Sequence, residues 1–278
     1  MTIVDTHPAE TARTAPAPAR RDTALGRAAV PRPGGASVPD PTGNAVPARV
    51  LHALTALSAL AGVALDLWAA YSTRSWLPAG AGFSTTFGPG WDGSLNRLAY
   101  FTTQSNLLVA AVSLALLVRP DPRTALLRAL RVSALTSILL TGLVYAMVLA
   151  GPSLGGDFPV HVIVQTTLEH VLTPLFAVAA WMVSVRRPPS WRELALTPVL
   201  PALYLMATLA RGALIDWYPY TFVDVPALGY AQVTRNAALV AVLLPVIAAT
   251  LGLLGRALAP GRRDPVAPAP PQIPDEER

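Results

Sequence analysis

Six apolar stretches, each close to the length that crosses the hydrocarbon core of a bilayer, dominate the middle of this sequence. They run over about 50–71, 98–118, 130–150, 161–184, 194–213 and 231–255. In hydrocarbon every backbone N–H and C=O must be satisfied within the chain, so stretches of this length fold as α-helices. The expectation is an all-α membrane protein, a six-transmembrane-helix bundle over residues 48–258. Residues 1–47 are rich in Pro, Ala, Thr and Arg and show no period, and 259–278 combine prolines with an acidic end. Both read as disordered cytoplasmic tails. Because the first apolar run begins near residue 50, no cleavable signal peptide is expected.

Composition removes several classes of function. Charged residues make up 13% of the chain, against about 25% in soluble proteins. The net charge of +5 comes from arginines that flank apolar runs, where they report topology and not a nucleic-acid partner. There is no cysteine, which excludes disulfides, thiolate metal sites and cysteine nucleophiles. All basic residues are arginine, so lysine Schiff-base chemistry is excluded as well. No nucleotide, cofactor or metal motif appears, and neither a cofactor nor a metal is expected.

The arginines also orient the chain. Seventeen fall on one side: Arg13, Arg20, Arg21, Arg27, Arg32, Arg49, Arg119, Arg123, Arg128, Arg131, Arg186, Arg187, Arg192, Arg256, Arg262, Arg263 and Arg278. Only Arg74, Arg97, Arg211 and Arg235 fall on the other. The crowded side is expected to be cytoplasmic, which places both termini inside a plasma-membrane protein. The connection over 72–97 is rich in Gly and aromatics (Trp76, Phe83, Phe87, Trp91) and is expected at the headgroup level or capping the helices.

Placing each polar residue by depth is more informative still. Asp66 falls near the outer end of the first span, Thr102 to Asn106 in the outer half of the second, and His170 roughly 13 Å down the fourth. Arg211, Arg235 and Asn236 mark the outer ends of the last two spans. The strongly polar groups therefore share the outer half, and two readings follow. One is a polar cavity opening toward the outer leaflet. The other is interhelical hydrogen bonding with one buried ion pair, for which Asp66 and Arg235 are the expected partners.

The densest run is QTTLEHVLTP in the fourth span. Thr166 and His170 share a face, as do Glu169 and Thr173. Pro174 has no N–H to offer the His170 carbonyl and is expected to kink the helix. His52 lies near the inner end of the first span and His161 at the surface, which leaves His170 as the histidine at a depth suited to activate a hydroxyl. A Thr–His dyad is one reading of this pattern, and hydroxyl-mediated helix packing is the other. Residues 151–155, GPSLG, match the nucleophile-elbow pattern of α/β-hydrolases, but that motif works on a strand-to-helix turn that a helical membrane protein lacks.

Three separated motifs, AYFTTQSNLLV, LEHVLTP and RGALIDWYPYTFVDV, occur in an order that resembles a bacterial family of six-pass membrane proteins. That family is distantly similar to the eukaryotic androgen-induced / androgen-dependent TFPI-regulating protein family of membrane threonine hydrolases. The resemblance covers roughly residues 50–255. It implies a threonine-dependent hydrolysis of a lipid ester, with Thr102 as nucleophile and His170, which precedes Pro174, as base. Gln104 or Asn106 would donate to the developing oxyanion. Tyr218-Pro219 is similar to an element expected to shape the outer rim. The implied partners are membrane lipids, including a lipid ester substrate. The alternative is a non-enzymatic carrier or scaffold, with Asp66, Glu169, His170 and Arg235 as a relay.

Overall fold

The computed structural model describes residues 45–75, 77–120, 124–149 and 158–259. Of the two expected tails, residues 1–44 and 260–278 lie outside the described residues, as do Trp76 and the GPSLG run, whereas 45–47 already belong to the first helix. Among the described residues there is no strand. Six helical segments are long and apolar enough to cross a membrane: Ala45–Ser72, Phe101–Val118, Ala125–Val148, Val160–Ser184, Trp191–Ile215 and Val225–Leu258. Each coincides with an apolar stretch of the sequence, with ends shifted by a few residues.

In chain order, α1 is Ala45–Ser72, the short α2 is Trp91–Arg97, and α3 is Phe101–Val118. Next, α4 (Ala125–Val144) runs into a π-helical turn, Tyr145–Leu149. The fourth crossing joins α5 (Val160–Thr167), a π turn (Leu168–Leu172) and α6 (Thr173–Ser184). The fifth joins α7 (Trp191–Ala195) to α8 (Val199–Ile215), and α9 spans Val225–Leu258. Three helix starts, those of α4, α7 and α9, carry side chains that satisfy orphan N–H groups. Thr124 accepts from Leu127 N–H, Asp224 from Ala227 N–H, and Ser190 and Glu193 form a capping box at α7. In the fourth crossing, Pro174 withdraws one donor from the helical ladder, and a π turn lies just before it. There the Thr173 N–H bonds to the Leu168 carbonyl five residues back.

The packing differs from that of a soluble bundle in what faces outward, and an apolar core including Leu116, Leu135, Ile138 and Trp181 is interleaved with buried hydroxyls. Large apolar side chains such as Leu57, Val118, Leu214 and Leu239 face outward. The interior holds small and hydroxylated residues: Thr55, Ala59, Ser105, Ala110, Thr136, Thr173 and Ala180 are all buried. Lipid gives apolar side chains no reason to leave it, so the helices associate through close packing and hydrogen bonds instead. The Ser105 and Thr141 hydroxyls, 2.7 Å apart, join α3 to α4; Thr173 Oγ1 donates to Ser58 Oγ at 3.0 Å, joining α6 to α1.

The long connection after α1 caps one end of the bundle, called here the loop end. Gly82 N–H donates to Asp224 at 2.7 Å, and the Ser84 hydroxyl donates to Asp216 at 2.6 Å. Those bonds to the Ser84 hydroxyl and backbone N–H hold the Asp216 carboxyl below the usual aspartate range. Phe83 and Phe87 pack edge-on to Trp217. The opposite end, bearing Arg128, Arg131, Arg187 and Arg192, is called the arginine end.

One expectation fails. Asp66 pairs with Arg97, Nε to Oδ1 at 3.4 Å, and not with Arg235. Arg97 ends the short α2, which packs against α1 and brings the guanidinium over the carboxylate. Arg235 is exposed and donates to Gln232 on its own helix, and Arg211 donates to Asn96.

Candidate functional site

Thr102 stands in the first turn of α3, whose N-cap Tyr100 is extended. His170 lies in the π turn that precedes Pro174. Close approach of this turn to α4 depends on Gly142: a Cβ there would come within 3.0 Å of the His170 carbonyl oxygen and 3.2 Å of the Pro174 ring. The result brings Thr102 Oγ1 to 3.3 Å from His170 Nε2.

The other ring nitrogen defines the tautomer. His170 Nδ1 lies 3.1 Å from the Thr166 carbonyl oxygen, one turn back. A carbonyl only accepts, so Nδ1 carries the proton and Nε2 of the neutral ring offers its lone pair to the Thr102 hydroxyl. Tyr145, from the π turn that extends α4, stacks on the imidazole at a tilt of 35° and a centroid distance of 4.4 Å. The ring is thus held by a hydrogen bond along its edge and an aromatic face.

A third group, which the sequence did not single out, completes the arrangement. The Tyr220 hydroxyl lies 3.3 Å from Thr102 Oγ1 and accepts from the Thr102 backbone N–H at 3.2 Å. That N–H belongs to the first turn of α3, where no intrahelical acceptor exists. Tyr220 follows Tyr218-Pro219, and its backbone is extended (φ −139, ψ 143). Tyr218 packs on Gly212 of α8, while Tyr220 turns to Thr102. Burial pushes the Tyr220 phenol well above its usual value, which keeps it a protonated donor.

Neither expected amide serves the Thr102 hydroxyl. Gln104 is two residues on, roughly 200° around the helix, where it is exposed and donates to the Leu98 carbonyl at 2.9 Å. Asn106 is fully buried, but its amide N–H groups go to the carbonyls of Thr102 (2.9 Å) and Glu169 (3.4 Å).

Beside Thr102 lies a cavity of about 220 Å³ between α3, α4, α8 and α9. Thr102, Thr141, Tyr204 and Tyr220 supply its polar atoms; the rest of the wall is apolar, from Phe222 and Val223 at the loop end to Leu244 and Pro198 deeper in. A second hollow of about 380 Å³ shares Phe101 and Tyr204 with it and includes Gln104, Ser105 and Ser137. The rings of Phe101 and Tyr204, 5.1 Å apart, form the partition.

Six membrane-length helices that turn large apolar side chains outward make this chain an integral, multi-pass membrane protein. No protein-family model, curated protein or solved structure matches it.

Proposed function

We propose that the protein is a membrane-embedded ester hydrolase in which Thr102 is the nucleophile, His170 the base, and the apolar cavity the seat of a lipid acyl chain. The observation that carries this reading is the Thr102 Oγ1 to His170 Nε2 contact of 3.3 Å, with Nε2 left as acceptor and a cavity alongside. Nucleophile–base contacts are often this loose without substrate.

In the reaction, Thr102 Oγ1 bonds to the ester carbonyl carbon while its proton passes to His170 Nε2. The carbonyl oxygen becomes an oxyanion, and the Tyr220 hydroxyl is the donor near enough to stabilise it. Collapse breaks the bond to the alcohol oxygen, which leaves with the proton from His170. A water molecule then attacks the acyl-threonine, again giving its proton to His170, and the acid departs as the Thr102 hydroxyl is restored. If the arginine-rich side is cytoplasmic, the site lies in the outer half of a plasma-membrane protein and a lipid enters from that leaflet. The resemblance to a bacterial family of six-pass proteins, itself similar to eukaryotic membrane threonine hydrolases, points the same way.

The test is hydrolysis of a series of long-chain fatty acyl esters by the purified protein in detergent. Thr102→Ala, with an unchanged melting profile, is expected to abolish release of the acid. Release unchanged in Thr102→Ala overturns the assignment.

A further inference from the structure

Pro174 deprives the π turn of a donor at the residue just before His170. In an α-helix the Glu169 carbonyl would accept from the N–H of Thr173, four residues on. That N–H bonds instead to the Leu168 carbonyl, in the π register. In the same register the donor for Glu169 would be residue 174, a proline without N–H. Neither backbone donor that a helix directs at this carbonyl, four or five residues on, is thus available to it. Glu169 is only 1% exposed, and a buried carbonyl left unmet is costly.

Asn106 fills that place from another helix. Its Nδ2 donates to the Glu169 carbonyl at 3.4 Å and, through its second hydrogen, to the Thr102 carbonyl at 2.9 Å. Asn106 lies one turn along α3 from Thr102 and is fully buried. Tyr100 caps α3 with no side-chain hydrogen bond, and helix ends of that kind fray. One planar group therefore ties the backbone of Thr102 to the backbone next to His170. The π turn receives another side-chain donor from α1, where the Ser58 hydroxyl donates to the Leu168 carbonyl at 3.2 Å. That carbonyl already has the Thr173 N–H, and the bond links the turn to α1, not to the helix that carries Thr102.

We propose that Asn106 is a positioning residue whose amide clamps α3 to the π turn and thereby holds Thr102 Oγ1 within reach of His170 Nε2. It acts through two backbone carbonyls and takes no part in bond making. The catalytic consequence rests on the hydrolase reading of that contact; the clamp has a readout of its own. A misplacement of about 1 Å is enough to slow a reaction about 10²-fold.

The experiment compares Asn106→Leu, which removes both donors, with Asn106→Thr. The threonine hydroxyl can still bond the carbonyl four residues back in α3 but, one bond shorter than the amide, does not reach Glu169. Purified protein in detergent is assayed for hydrolysis of long-chain fatty acyl esters, for Tm, and for amide hydrogen exchange over Leu168–Leu172 by mass spectrometry. Both variants are expected to lose about 10²-fold in kcat with little change in KM or Tm. Their π turn is expected to exchange about 2- to 10-fold faster, the range one hydrogen bond is worth. Ser58→Ala is expected to keep a kcat near that of the wild type. Full kcat in either Asn106 variant overturns the proposal, as does an equal kcat loss in Ser58→Ala. A kcat loss that only follows a fall in Tm, or loss of the fold in both variants, also overturns it, since the amide would then serve the bundle as a whole. If Asn106→Leu alone misfolds, Asn106→Thr decides. Absence of hydrolysis in the wild type removes the hydrolase reading and leaves the clamp to the exchange rates, where unchanged exchange over the π turn overturns it.

Discussion

Two histidines, His52 buried and His170 half-buried, sit toward opposite ends of this bundle, and their surroundings differ in every respect that chemistry needs. His170, toward the loop end, has Nδ1 fixed by a carbonyl, Nε2 facing a hydroxyl, and a cavity of about 220 Å³ beside that hydroxyl. His52, toward the arginine end, has a buried Nδ1 with no partner and an Nε2 3.5 Å from Ser184 Oγ. The Ser184 hydroxyl is already committed, donating to the Ala180 carbonyl and accepting from Arg131 at 2.6 Å. The hollow there measures about 20 Å³, close to the room one water needs. Burial of a histidine therefore marks no site by itself. A fixed tautomer, a hydroxyl with a proton to give and space for a substrate together distinguish one end from the other.

The strongest challenge to that comparison exchanges the two histidines as targets. His170→Ala is expected to lower kcat/KM for ester hydrolysis by about 10²–10⁴-fold, the usual worth of a general base. His52→Ala should leave it nearly unchanged. Similar losses in both variants, measured on protein with matched melting profiles, would erase the distinction between the two ends.

Tyr220→Phe removes the hydroxyl at 3.3 Å from Thr102 while keeping the ring against Tyr100 and Phe222. The expected loss is about 10²-fold in kcat with little change in KM, because the donor acts on charge that develops in the transition state. A rise in KM at constant kcat would instead assign Tyr220 to substrate binding.

Ala237 lines the cavity on α9. Ala237→Phe should lower kcat/KM for long acyl chains by about tenfold while sparing short ones. Equal effects on both would place the acyl chain elsewhere, with the hollow beyond Phe101 and Tyr204 as the next candidate.

The smallest effect belongs to the arginine end. Glu193 there joins Arg187 at 2.6 Å and Arg128 at 3.0 Å, and closes the capping box with Ser190. Ser190→Ala is expected to cost about 1 kcal/mol of stability, seen as a lower Tm, without changing kcat. A change in kcat would show that the two ends are coupled.

The sequence made these contrasts legible unevenly. The six crossings could be read because hydrocarbon demands an uninterrupted apolar run of fixed length, and each run registers by itself. His170 was singled out by depth and Thr102 by the motif around it, and each sits on a membrane helix whose direction follows from the order of crossings; the structure brings their side chains to 3.3 Å. Three features were not legible. The partner of Asp66 was misassigned because Arg97 belongs to a seven-residue helix inside a loop, and no periodicity reveals where such a helix packs. Gln104 and Asn106 were plausible donors by residue type, yet side-chain torsions turn both amides to backbone carbonyls. Tyr220 lies 118 residues from Thr102, and the packing of the connection after α8 brings the two together. The pattern Tyr-Pro-Tyr held the signal, but which tyrosine faces the site is set by tertiary packing.

The account rests most directly on the identity of the nucleophile, and trapping it settles the matter. Purified protein is treated with a fluorophosphonate carrying a long alkyl chain, digested, and analysed by mass spectrometry for the modified residue. The predicted result is a phosphonyl adduct on Thr102 in the wild type and in His52→Ala, absent in Thr102→Ala and strongly reduced in His170→Ala. An adduct on another residue, or no adduct on a protein that hydrolyses esters, would contradict the assignment of Thr102 and His170 as nucleophile and base.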